Sequence, residues 1–98
     1  MQNKFIFKEN GKYDRQNYKN TLFTDLPEIE GQINFYRSDF RGSKFLNLNI
    51  SANFDRADFM GCSFQNINFI GTSFGAPQFK NCIFENEKKK KNNYNATV

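Results

Sequence analysis

The chain has 98 residues, enough for one domain but few for a conventional globular core, because the surface-to-volume ratio is poor at this size. Its 13 Phe and 4 Tyr stand among polar residues, with no Trp and no His; the apolar character is concentrated in a few large rings, and the commonest catalytic base is missing. No apolar run approaches the roughly 20 residues that span a bilayer, and the net charge of +4 argues against an acidic, self-repelling chain.

Taken in order, residues 1–12 hold the apolar run Phe5-Ile6-Phe7 and then Lys8-Glu9-Asn10-Gly11-Lys12, which reads as a strand and turn that cap whatever follows. Residues 13–34 start a periodic pattern with Tyr13, Tyr18 and Phe23, spaced by five, and Ile29 joins it by six-residue steps. The stretch from Thr24 to Gly31 breaks the pattern and is expected to be a short helical turn or an expanded corner. Residues 35–86 are regular: Phe35, Phe40, Phe45 and Ile50, one four-residue step, then Phe54, Phe59, Phe64, Phe69, Phe74, Phe79 and Phe84. Residues 87–98 are a basic, Asn-rich tail with the single aromatic Tyr94.

Five matches neither the helical period of 3.6 nor the strand period of 2. A chain with this period must turn a corner about every five residues. Two positions before each large residue stands a second, usually smaller one: Ile33, Ser38, Ser43 and Leu48, then Ala52, Ala57, Cys62, Ile67, Thr72, Pro77 and Cys82. Two inward and three outward positions per side give a square coil of about 20 residues, an all-β repeat of three to four coils in which each contacts only its neighbours. Residues one coil apart then form ladders: Phe35–Phe54–Phe74, Phe40–Phe59–Phe79, Phe45–Phe64–Phe84 and Ile50–Phe69. The four-residue step predicts a tightened corner near Ser51.

Stretches such as Ala57-Asp58-Phe59-Met60-Gly61-Cys62-Ser63-Phe64 and Gly71-Thr72-Ser73-Phe74 resemble the pentapeptide-repeat family, whose pattern is a small residue, Asp/Asn/Ser, Leu/Phe and two variable positions. The resemblance is clear from about Ile33 to Phe84. It implies a right-handed quadrilateral β-helix with the large residue pointing inward.

Chemistry is sparse. Cys62 and Cys82 both fall on small inward positions, one coil apart, and are expected to be stacked, reduced thiols. No metal site is expected without His or a second ligand pair, and no cofactor or catalytic residue is assigned. Asp39 and Asp58 would stack on one outer wall, where Arg37 and Arg56 are expected to neutralise them. The outward residues singled out as partner-binding are Tyr36, Arg37, Arg41, Arg56, Met60 and Lys80, expected around one corner, together with Lys88, Lys89, Lys90 and Lys91 of the tail.

Charge is uneven. Residues 1–32 carry five basic and five acidic side chains; residues 33–84 carry five against three, and the rest four against two. Family relatives include proteins that protect or inhibit bacterial topoisomerases, some by imitating DNA, but here the repeat walls are mildly basic. The chain therefore reads as a cytoplasmic, non-enzymatic protein-binding module. It would be a small inhibitor or protector of phage or mobile-element type, acting on a larger nucleic-acid-processing or host-defence enzyme, topoisomerase-directed or anti-CRISPR-like. Two alternatives stand beside it: direct nucleic-acid binding through the basic face and lysine tail, and self-assembly, as an end-to-end dimer or longer stack, through the open coil ends. No membrane partner is expected.

Overall fold

The computed structural model describes residues 3–27, 29, 31–76 and 78–85, together with the backbone of 88–89 and 93–94. The strands are β1 (Asn3–Lys4), β2 (Thr21–Phe23), β3 (Ile33–Asn34), β4 (Lys44–Ile50), β5 (Ala52–Asn53), β6 (Ser63–Phe69), β7 (Ser73–Phe74), β8 (Ile83–Glu85), β9 (Lys88–Lys89) and β10 (Asn93–Tyr94). Every pairing is parallel and joins positions one coil apart: Leu22 with Lys44, Ile33 with Ala52, Lys44 with Ser63, and Ser63 with Ile83. A third wall carries the isolated bridges Asn17–Asp39–Asp58–Gln78. The result is a four-sided β-solenoid of about four turns. Among the described residues no helix is long and apolar enough to cross a membrane.

The repeat works because each position has its own backbone task. The large residue is inward: Phe23, Phe35, Phe40, Phe45, Phe54, Phe59 and Phe64 are fully buried, each contributing about 1.5–3 kcal/mol by burial. The residue before it is often Asn or Asp, whose side chain accepts the backbone N–H two positions on. Asn34 takes Tyr36, Asp39 takes Arg41, Asn53 takes Asp55 and Asp58 takes Met60, at 2.9–3.1 Å. This is the Asx-turn geometry that short polar side chains favour. The corner closes with a β-turn, in which Ser38 N–H donates to the Phe35 carbonyl, Ser43 to Phe40, Ala57 to Phe54 and Cys62 to Phe59. The second corner residue has positive φ, as such turns require: Gly42, Gly61 and Gly71, Asn20, Asn47, Asn66 and Asn81, and, without that chemistry, Arg15, Arg37, Arg56 and Ala76.

The small inward residues tie successive coils together. Ser38 donates to the Tyr13 carbonyl and Ser43 to that of Tyr18; Thr72 reaches the Ile50 carbonyl at 2.7 Å and the Cys62 thiol that of Phe40 at 2.7 Å. A hydroxyl or thiol is thus hydrogen-bonded even though it lies inside the tube. Pro77 lies outside the described residues.

The rings stack as the period predicts, with Phe40 and Phe59 5.0 Å apart and Phe35 and Phe54 5.4 Å apart. Coil length varies along the tube. The step is 19 residues from Phe35 to Phe54, because Ser51 alone turns the corner that Ile70 and Gly71 share in the next coil, and 20 from Phe54 to Phe74. It is 22 residues from Phe23 to Phe45, whose rings lie 4.5 Å apart. The extra length of that first coil is taken up between Thr24 and Gln32. The described part of this stretch is an expanded corner rather than a helical turn, and the core residue is Leu26; Ile29, expected inward, is 38% exposed.

At the N-terminal end β1 joins the edge of β2, and Phe5 seals the ring stack, 4.7 Å from Phe23 and in contact with Tyr13, Tyr18 and Phe35. At the other end the backbone of β9 pairs with β6, Asn68 opposite Lys88, and β10 with β7, Tyr94 opposite Phe74. Part of the basic tail therefore follows the coil path.

Candidate binding face

The wall bearing Asn17, Asp39, Asp58 and Gln78 stacks two aspartates one coil apart. Its two corners carry cations, but different ones. Arg37 and Arg56 stand two residues after Phe35 and Phe54, while Arg41, Met60 and Lys80 stand one residue after Phe40, Phe59 and Phe79. Since the chain turns once per repeat, these positions fall on successive corners. The expected single cluster is thus two columns, one along each edge of the wall. Tyr36 belongs with Arg37 and Arg56; Met60 separates Arg41 from Lys80 in the second column.

Both columns continue into the first coil, where the sequence reading missed them. Arg15 precedes Arg37, its backbone N–H bonded to the Tyr36 carbonyl at 2.7 Å, and Lys19 precedes Arg41, with Asn20 N–H on the Arg41 carbonyl at 3.0 Å. Counting two residues on from Tyr13, as from Phe35, would have found Arg15. The 22-residue length of that coil hid it.

The central carboxylates are neutralised, though not by Arg37 and Arg56. Arg41 forms a fork on Asp39, Nη2 to Oδ2 at 2.7 Å and Nε to Oδ1 at 3.0 Å, and reaches Asp58 at 3.7 Å; Lys19 lies 3.8 Å from Asp39. Arg41 hydrogen bonding holds the Asp39 carboxyl below its ordinary range, outweighing the opposing effect of partial burial. Arg37 and Arg56 point from the adjacent corner and have no ion partner among the described residues. The Tyr36 ring lies beneath two guanidinium carbons, Arg15 at 5.1 Å and Arg37 at 5.5 Å. Such contacts orient a cation without neutralising it.

Lys88 and Lys89 lie in β9, on the edge of β6; Lys90 and Lys91 lie outside the described residues. Cys62 is buried, whereas Cys82, expected to be equally inside, is half-buried at the last full coil. Both are free. Each thiol donates to a carbonyl of the preceding coil, Cys62 to Phe40 and Cys82 to Phe59, both at 2.7 Å, and the nearby Cys82 together with burial pushes the Cys62 thiol up. Among the described residues no three Cys, Asp or Glu side chains form a metal-ligand group.

The fold defines a class: parallel β-solenoids, in which a rigid repeated core presents regular outer walls. Within it, the model of pentapeptide repeats matches eight copies over residues 33–75 and 52–86, more than half of the chain. The chain belongs to the pentapeptide-repeat family, whose members are generally non-catalytic structural or interaction modules. No curated protein and no solved structure gives a significant match.

Proposed function

We propose that this chain is a small inhibitor or protector that acts in the cytoplasm by docking its basic wall onto an acidic surface of a larger nucleic-acid-processing or host-defence enzyme. The observation behind this reading is the pair of exposed guanidiniums, Arg37 and Arg56, on a rigid corner with no ion partner among the described residues. Arginine and tyrosine on a preorganised surface lose little freedom on binding and are favoured at interface hot spots. The aspartates of the same wall are occupied by Arg41, so the field seen by a partner is set by the corner cations.

The test is affinity capture from a host lysate with the full chain as bait and an R37E/R56E double variant as control. A large nucleic-acid-processing or defence enzyme held by the first and lost by the second is the expected result. Identical captures would overturn the reading. A nuclease-sensitive capture, with a low-salt gel shift that weakens as salt rises, would replace it with direct nucleic-acid binding.

A further inference from the structure

Three arginines occupy a backbone position that the fold fills elsewhere with glycine, asparagine or, at Ala76, alanine. Arg15, Arg37 and Arg56 have φ of 54°, 56° and 59° and follow one another along a single corner through three coils. The left-handed region is costly for a residue with a Cβ, less so for Asn, and free for Gly. The neighbouring corner uses Asn20, Gly42, Gly61 and Asn81 at the equivalent sites. The corner can therefore be built without arginine, and Ala76 continues this column at φ 52°; the left-handed backbone belongs to the corner, and what its first three coils add is a row of guanidiniums.

The column is narrow. Asp14 and Asp55 border it on the corner, and Asp39 and Asp58 on the wall. Those acids already have partners: Asp14 holds Arg15 at 2.9 Å, Asp55 accepts the Gly75 N–H at 2.5 Å, and Arg41 holds Asp39. A duplex lying here would press its phosphate rows against these carboxylates on both sides. A single extended chain along the strip passes Asp14 and Asp55 only, which are already engaged by Arg15 and by the Gly75 N–H.

We infer that the Arg15–Arg37–Arg56 column is the docking strip for an extended acidic peptide segment of the partner protein, whose carboxylates take the forks of Arg37 and Arg56. This inference rests on the protein-docking reading and specifies where and by what chemistry it occurs. Successive arginines rise by about one strand spacing, 4.8 Å, and same-face side chains of an extended peptide by about 6.6 Å; the long arginine side chains span that difference. Tyr36 holds the first two guanidiniums in place before the ligand arrives.

The probe is a synthetic hexa-aspartate peptide, titrated into the isotope-labelled full chain at physiological salt while the arginine Nε–Hε resonances are followed. Those of Arg37 and Arg56 should move and that of Arg41 should stay. R37K/R56K keeps the charge but loses the planar fork, and should weaken binding at least about fivefold. Equal movement of Arg41, unaltered affinity in the lysine variant, or stronger binding of a 20-base-pair DNA duplex at the same salt would overturn the inference. Cellular capture separates the two readings. A target retained by R37K/R56K and lost by R37E/R56E leaves docking intact and removes the fork.

Discussion

Phe45 and Phe64 lie with ring centroids 4.8 Å apart and planes 5° from parallel, and Phe64 repeats this relation to Phe84 at 4.8 Å and 3°. Each ring is thus an interface between two coils, and the middle ring of a ladder serves two interfaces. Phe64 is fully buried, while Phe84 is only partly so. Phe64→Ala should cost about 3–5 kcal/mol, a large share of the stability of a domain this size, and Phe84→Ala less than half as much. Urea unfolding followed by circular dichroism measures both; equal costs would contradict nearest-neighbour stabilisation.

The strained corner arginines give a prediction of opposite sign. Arg56→Asn places a residue tolerant of left-handed backbone at φ 59° and should raise stability by about 0.5–1 kcal/mol, while weakening partner capture. Arg56→Val, β-branched, should destabilise. A midpoint for Arg56→Asn below that of the parent chain would show that the guanidinium itself stabilises the corner.

The short corner at Ser51 defines a further test. Inserting one glycine after Ser51 reproduces the two-residue corner of Ile70 and Gly71, and should cost about 1 kcal/mol or less, as an added corner residue is absorbed at the surface. The same insertion between Asp58 and Phe59 reverses the inward and outward faces of that side. It should leave no cooperative unfolding transition.

Acid should loosen the binding wall. The Asp39 carboxyl is held below its ordinary range by Arg41, so its contribution is present above the unfolded value near 3.9 and is lost as pH falls through the depressed folded value. Arg41 is exposed and Asp39 only partly buried, so solvent screening keeps the effect small. Asp39→Asn should flatten this part of a stability–pH curve, and an unaltered slope would assign the effect to another carboxylate.

Thiol labelling should distinguish the two cysteines. Both thiols donate to a carbonyl at 2.7 Å, but Cys82 is half-buried at the last full coil whereas Cys62 is buried and its thiol is pushed up. Iodoacetamide should modify Cys82 first, with Cys62 following only on unfolding, as read by mass spectrometry of the intact chain. Simultaneous modification would place both thiols in the same environment.

The amino-acid sequence by itself determined the period, and with it the four-sided coil, the phenylalanine ladders, the Cys62–Cys82 column and the short corner at Ser51. All of these follow from local spacing, since a residue five positions on has no choice but the next side. The tertiary structure decided what local spacing leaves open. It replaced Ile29 with Leu26 in the first coil and brought Arg15 and Lys19 into register with Arg37 and Arg41 across a 22-residue turn. It also gave the wall aspartates to Arg41, leaving Arg37 and Arg56 on a separate corner. Coil length at an irregular corner, and the partner a long charged side chain selects, depend on neighbours about 20 residues away in sequence. Only the stacked coils bring those neighbours within reach.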